Sequence, residues 1–341
     1  MDIELLRVWF SEERRDLPWR LNPSPYSVWI SEVMLQQTQV AVVIPYFNKW
    51  MSTFPTIESL AQSDLSSVIK VWEGLGYYSR ARNIHAAAQM VVKEYGGKLP
   101  SNRELLIKIK GFGSYTAGAL LSFAFHKKAP AVDGNVMRVL TRFFYIEEDV
   151  TKLRTRTLIE GLVEKLLPEH EPWVVMEALI ELGALICTKR PSCHLCPVNE
   201  KCRAYNEGAV ERLPVKTKPA ETTFLHREVA LIIFNGQVLI KKVADGQVMA
   251  GLYEFPFFET KKEQENILAG QACRLKKFPM ISHSFTRYRA KLYPTLWHAK
   301  KEIELSGYRW VDLSLLNKLP FSSGHRQLLS YLNKSAIFLP N

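Results

Sequence analysis

The sequence predicts a mainly α protein with a smaller α+β domain at its C-terminal end. Three observations carry that reading. Apolar residues recur at helical spacing through residues 1–210, without strand alternation. A segment with Pro214, Lys216, Lys218 and Pro219 follows, the composition of a linker. Beyond it the period switches to that of strands. At 341 residues the chain suits about two domains. The expected division is a helical domain over 1–210, a linker over 211–226 and the α+β domain over 227–341.

Apolar residues make up 47% of the chain, enough for a sizeable core, which excludes wholesale disorder. A net charge of +11 points to a polyanionic partner, most simply nucleic acid. Asp2, Glu4, Arg7 and Glu12 interrupt the N-terminus, which reads against a targeting segment. No apolar run approaches the ~20 residues of a membrane span, so the chain reads as soluble and intracellular, with no membrane partner.

In chain order, Ile3, Leu6, Trp9 and Phe10 share one helix face. Pro18-Trp19-Arg20 and Asn22-Pro23-Ser24-Pro25 break the pattern. Ser27 then caps a helix carrying Val28, Ile30, Val33, Met34 and Leu35, with Glu32 beside that apolar face. A Glu there is usually a solvated helix charge; half buried in a cleft, its pKa rises and it becomes a usable acid near neutrality. Gln36-Gln37-Thr38-Gln39 is an uncharged polar cluster that either ends the helix or enters a base stack. Gly74-Leu75-Gly76-Tyr77-Tyr78 is a glycine turn whose aromatic tip either packs in a core or wedges between bases. Arg80 and Arg82 follow and can meet phosphates.

The segment 105–126 holds Ile109-Lys110-Gly111-Phe112-Gly113 between two apolar helices. Its glycines permit φ > 0 and a close approach to a ligand. The second helix opens at about Ser114, where free amides suit a phosphate; the stretch reads equally as a plain helix-turn-helix connector with a solvent-facing acid at Asp133. Gly134-Asn135 starts the next helix, so Asp133 reads as its N-cap, a position that also favours an ionised carboxylate. Trp173–Ile186 is another apolar helix, with Glu177 and Glu181 one turn apart, running straight into Cys187.

Cys187, Cys193, Cys196 and Cys202 lie within the segment 187–202, and Cys273 stands apart as a buried, inert thiol. Four thiols at this spacing form a site for a 4Fe–4S cluster or for zinc, with His194 a dispensable extra ligand. After the linker, Arg227–Phe234 reads as a strand, and Asn235-Gly236 turns it into Val238-Leu239-Ile240. Further strands are expected at Tyr288–His298 and Tyr308–Val311, and a helix at His325–Asn333.

The glycine hairpin, trailing Asp133 and four-cysteine loop, in that order, resemble the helix-hairpin-helix DNA glycosylases with an iron–sulfur loop. Leu17-Pro18-Trp19-Arg20, the run Ser31 to Gln39 and Val132-Asp133-Gly134-Asn135-Val136 narrow the resemblance to the MutY-type adenine DNA glycosylases. It is dense over residues 17–202 and looser beyond. It implies two helical subdomains flanking a cleft, one 4Fe–4S cluster on the four cysteines and a Nudix-like C-terminal domain. The implied activity is monofunctional excision, in base excision repair, of adenine mispaired with 8-oxoguanine or guanine in double-stranded DNA. The expected protein is a monomer, nucleoid-associated in a bacterial cytoplasm or nuclear or mitochondrial in a eukaryote.

The resemblance also assigns roles. Glu32 matches the carboxyl that protonates the adenine and later handles water, and Asp133 the carboxylate that steadies the sugar cation. Tyr115 occupies the position of the lysine nucleophile in related lyases, and Asn135 stands beside the catalytic aspartate. Trp19, Arg20 and Glu177 match positions around the flipped adenine. Gln37, Leu75 and Tyr77 match positions inserted near the mismatch, Thr38 is a further DNA-binding residue, and Gly111, Gly113 and Ser114 form the phosphate grip. His283, Phe285, Thr286 and Arg287 match the 8-oxoguanine loop, although threonine and arginine replace the family's Ser-His. The gap from Cys187 to Cys193 is one residue shorter than the family's. No Arg-Glu-x-x-Glu-Glu run follows Gly251-Leu252-Tyr253-Glu254, which argues for recognition over pyrophosphatase chemistry. An endonuclease III-like lyase and a non-catalytic lesion-binding protein are the alternatives.

Overall fold

The computed structural model describes residues 1–217, 221–244, 246–285 and 287–335, with residues 334 and 335 by backbone alone. Lys218, Pro219 and Thr286 lie outside them. The chain divides into two compact units, Met1–Gln62 with Ala86–Pro219, and Ser63–His85 with Ala220–Asn341. The second unit therefore takes a segment from the middle of the expected helical domain.

The first unit begins with helices α1 (Ile3–Glu13), α2 (Pro18–Leu21), α3 (Pro25–Leu35), α4 (Val40–Thr53) and α5 (Ile57–Gln62). Pro18 and Pro25 do not interrupt helices but start them, because proline's missing N–H costs nothing at the first helical position. The cap of α3 is accordingly Ser24, not Ser27; Ser27 closes a capping box with it. Next come α6 (Leu65–Trp72), which belongs to the second unit, and α7 (Ser79–Tyr95), which leads back into the first. The first unit continues with α8 (Arg103–Lys108), α9 (Ser114–Phe123), α10 (Gly134–Phe144), α11 (Leu153–Leu166), α12 (Pro172–Leu185) and α13 (Arg203–Asn206). Its core includes Leu6, Trp29, Ile30, Met34, Trp50 and Leu106, all fully buried. Among the described residues no helix is long and apolar enough to cross a membrane.

The expected linker is shorter in the structure. Leu213 is buried and its carbonyl accepts from Arg142 Nε at 3.1 Å, while Val150 N donates to Val215 O at 3.1 Å. Residues up to Thr217, whose amide donates to Asp149, are thus packed on the first unit, and the first strand already starts at Thr223.

In the second unit, β1 (Thr223–Phe234) and β2 (Gln237–Lys242) form the hairpin, with Asn235 at φ 45° and Gly236 at φ 74°. Short β3 (Tyr253–Glu254) and β4 (Phe257–Phe258) follow, then α14 (Lys261–Leu268), β5 (Ala272–Lys277), β6 (Ile281–Phe285), β7 (Tyr288–Ala299), β8 (Arg309–Asp312) and α15 (Ser323–Ser335). The sheet runs β3-β2-β1-β7-β5, with β4 on β1, β6 on β7 and β8 on β2. Strand β1 is central and parallel to β7. Its Val229, Leu231 and Ile233 enter the core that Leu328, Leu329 and Leu332 of α15 also fill. Ala230 and Ile232 face the opposite core with Leu268 of α14. Burial on both faces explains a continuous apolar run where a half-exposed strand would alternate. Cys273 is exposed rather than buried, because β5, paired with β7 at the end of the sheet, turns most of its side chains to solvent.

Candidate active site

A cleft of about 750 Å³ in the first unit gathers Trp19, Arg20, Glu32, Gln37, Thr38, Tyr115, Asp133, Asn135 and Glu177. These side chains come from segments far apart in sequence, and each is fixed by local chemistry.

Glu32 sits in α3, where every residue from Tyr26 to Met34 is buried. Only 7% of it is exposed, so it is no solvated helix charge. Burial pushes its pKa up to about 7. The Tyr115 hydroxyl, which donates to Glu32 Oε2, pulls it down, the anions of Asp133 and Glu177 push it up, and Arg20 opposes them. The result is a carboxyl that is half protonated near neutral pH. Tyr115 is itself half-buried, and desolvation together with the Glu32 and Asp133 charges holds it in its protonated, donating form.

Asp133 is the N-cap of α10. Its Oδ1 accepts from Asn135 N at 2.9 Å and Val136 N at 2.8 Å, and its Oδ2 from Asn135 Nδ2 at 2.8 Å. Burial raises its pKa, while the Val136 and Asn135 donors work against that rise. The same donors and the helix dipole favour a fixed anion facing the cleft. The Asn135 amide is locked from its other end, since its Oδ1 accepts from Arg138 Nη2 at 2.7 Å. Arg138 in turn donates to Gly183 O at 2.8 Å and Cys187 O at 2.7 Å. Helix α12 reaches this close because residue 183 is glycine: an added Cβ would stand 2.6 Å from Asn135 Cβ.

Arg20 is held by a lattice that sequence reasoning missed. Fully buried Glu181 accepts from Arg15 N at 3.0 Å, Arg15 Nε at 2.7 Å, Arg15 Nη2 at 2.9 Å and Arg20 Nη2 at 3.1 Å. Burial alone would raise the Glu181 pKa, but the arginine donors outweigh it and hold the carboxyl at about 2. Arg20 Nε then lies 3.4 Å from Glu177 Oε2, whose own pKa is raised by burial against the pull of Arg20. The only sequence signal was the spacing of Glu177 and Glu181; their arginine partners lie more than 150 residues away.

In the hairpin, Gly111 has φ 86°, whereas Gly113 is extended at φ −101° and needs no glycine for its conformation. Space around Gly113 is open, which leaves the start of α9 approachable. The Ser114 hydroxyl is already engaged, accepting from Arg103 Nη2 at 2.7 Å and donating to Glu160.

Cys187, Cys193, Cys196 and Cys202 line one apolar cavity of about 30 Å³, all with free thiols; His194 does not line it. Among the described residues no group of three His, Cys, Asp or Glu is set as a metal site. Burial, and then crowding by Cys187, Cys202 and Cys193, pushes the Cys196 thiol up to about 11. Such a set ionises together most readily around a cation, and two positive groups stand beside it: Arg142, whose Nη1 donates to Cys187 Sγ at 3.3 Å, and Arg138, whose Nε donates to Cys187 O. The donor set fits a thiolate-bound metal centre.

Other expected contacts lie in the second unit. Tyr77, His283 and Phe285 line a cleft of about 510 Å³. Tyr77 is 40% exposed, whereas Leu75 is buried. His283 is buried and its ring lies 5.0 Å from that of Phe285. Arg287 Nη2 donates to Tyr288 OH at 3.2 Å. Arg80 is buried against Trp72 and so withdrawn from phosphates, while half-buried Arg82 donates to Ala250 O at 2.6 Å.

Comparison with known proteins gives two family matches: residues 30–165 to the HhH-GPD superfamily base excision DNA repair proteins, and residues 228–331 to the NUDIX domain. An adenine DNA glycosylase of Buchnera aphidicola subsp. Schizaphis graminum is 36% identical over 299 residues, covering 86% of this chain and 86% of its own. The Homo sapiens adenine DNA glycosylase is 44% identical over 218 residues, covering 61% of this chain and 40% of that protein. Among solved structures, a thermostable thymine-DNA glycosylase superposes with a TM-score of 0.56 at 28% identity, over 60% of this chain and 95% of its own.

Proposed function

The chain belongs to the adenine DNA glycosylases of base excision repair, and from that premise we propose that it excises adenine opposite 8-oxoguanine, and less readily opposite guanine, as a monofunctional enzyme. The observation that carries the chemistry is one cleft with two unlike carboxyls: Glu32, half protonated at about pH 7, and Asp133, whose oxygens accept from three fixed donors.

Adenine is flipped out of the duplex into this cleft, where Trp19, Arg20 and Glu177 hold it. The glycosidic C–N bond breaks with its electron pair leaving on the base. Glu32 gives its proton to a base nitrogen, and Asp133 steadies the oxocarbenium-like sugar. Water then adds to the sugar and returns a proton to Glu32. Tyr115 supplies no amine, so there is no Schiff base and no strand cleavage. Cys187, Cys193, Cys196 and Cys202 would hold a 4Fe–4S cluster, whose contribution when bound is to brace the loop after α12. In the second unit, Tyr77, His283, Phe285, Thr286 and Arg287 are read as contacts to the opposite base, with the enzyme acting as a monomer on double-stranded DNA.

The test is single-turnover adenine release. Glu32→Gln and Asp133→Asn each abolish release while DNA binding persists; turnover by either variant sinks the role assignment. Borohydride trapping on abasic DNA yields no covalent adduct, whereas an adduct would identify a lyase. A wild-type protein that binds A·8-oxoguanine duplex without releasing adenine would be a recognition protein instead.

A further inference from the structure

The turn Gly74–Tyr78 has a backbone that does not hold itself. Gly74, Gly76 and Tyr77 have φ of 105°, 75° and 48°, and for tyrosine that region is disfavoured without support from its surroundings. Part of the support is local. Trp72 Nε1 donates to Gly76 O at 3.0 Å, and Arg80 Nη2 to Leu75 O at 3.3 Å and Gly76 O at 3.2 Å.

The rest comes from the C-terminal part of the same unit. Glu73, the residue before the turn, accepts at Oε1 from Phe321 N at 2.8 Å and Arg326 Nε at 2.7 Å, and at Oε2 from Lys70 Nζ at 2.7 Å. Arg326 also donates to Leu319 O and Leu316 O. At the far end of the turn, Tyr78 OH accepts from Gly74 N at 3.1 Å and donates to Phe321 O at 3.5 Å. Both ends of the turn are therefore tied to Phe321. Ser322 and Ser323, immediately after it, line the cleft with Tyr77, His283 and Phe285.

We infer that the Glu73–Arg326 pair is a positioning clamp for discrimination of the opposite base: it sets Tyr77 against His283 and Phe285. The inference rests on the proposed reading of those three as opposite-base contacts. The acid and the anion of the reaction lie in the first unit, so loosening the clamp lowers selectivity without removing the chemistry.

The experiment measures single-turnover adenine release from A·8-oxoguanine and A·G duplexes at one salt concentration, for the wild type, Glu73→Ala, Arg326→Ala and the double variant. The ratio of the two rates falls about tenfold in each single variant and no further in the double variant, as for two halves of one contact. The A·G rate stays within about twofold, because the acid Glu32 and the anion Asp133 are untouched by either substitution. A general loss of folded enzyme scales both rates and leaves the ratio alone. Should Glu73→Ala not fold, Glu73→Gln keeps an acceptor for the Phe321 amide and loses the charge, and the same fall in ratio is expected. A wild-type preference retained in full by the variants overturns the clamp alone. Equal wild-type rates on both duplexes overturn the opposite-base reading, and the clamp with it.

Discussion

Replacing Tyr115 by Phe tests how the acid is tuned. The Tyr115 hydroxyl donates to Glu32 Oε2 and works against burial, which nonetheless leaves the pKa raised to about 7. A hydrogen bond to a charged group is worth about 1.5–3 kcal/mol, and one pKa unit is about 1.4 kcal/mol. With part of the loss made good by water in an open cleft, the expected rise is about one unit. The sign follows from the active form. Glu32 must be protonated to assist the leaving base, so the wild-type rate is full below about pH 7 and falls as pH rises through it. In Tyr115→Phe the fall begins about one unit higher. At a pH about one unit above the wild-type midpoint, roughly a tenth of wild-type Glu32 and about half of the variant's is protonated. The assay is single-turnover release from saturating A·8-oxoguanine duplex across a pH series, each profile scaled to its own plateau so that a loss of amplitude does not matter. An alkaline limb that stays put, or moves to lower pH, refutes the assignment of Glu32 as the acid that Tyr115 tunes.

Three further outcomes are expected. Gly183→Ala drives a methyl group toward Asn135, where the added Cβ would stand 2.6 Å from its Cβ; single-turnover release slows by about 10–100-fold, as misplacements near 1 Å do, while fluorescence anisotropy shows DNA affinity little changed. Glu181→Ala leaves Arg15 and Arg20 without their fully buried partner and lowers stability by about 3 kcal/mol in urea unfolding. Cys196→Ser removes one of four thiols on a shared cavity, and the iron and sulfide content of anaerobically purified protein falls to less than about half of wild type; full retention would count against Cys196 as a ligand.

Where a residue's role depends on near neighbours, the sequence was readable. Asp133 caps α10 because an acid followed by Gly134-Asn135 can do little else locally, and Asn235-Gly236 makes its hairpin for the same kind of reason. The helix of Glu32 was visible, though its start was misplaced because a proline at the first helical position looks, in sequence, like a breaker. Features made by distant partners were not readable. Nothing near Arg15 announces Glu181, and nothing in α6 announces that Glu73 will meet Phe321 and Arg326. Arg80 reads in sequence as a phosphate ligand because the carbonyls it meets carry no side-chain signature. Gly113 looked conformationally required and is not; its glycine leaves room.

The assignment of Ser63–His85 to the second unit also bears on how the chain is born. That segment leaves the ribosome well before Ala220–Asn341, which completes its unit. At about 5–20 residues per second the interval is on the order of ten seconds. During it, Val68, Ile69 and Trp72, all buried in the finished protein, lack the part of the chain that completes their unit. A message broken before codon 220 would therefore yield a helical first unit carrying an unfinished apolar segment at its middle, the kind of surface that chaperones and proteases select.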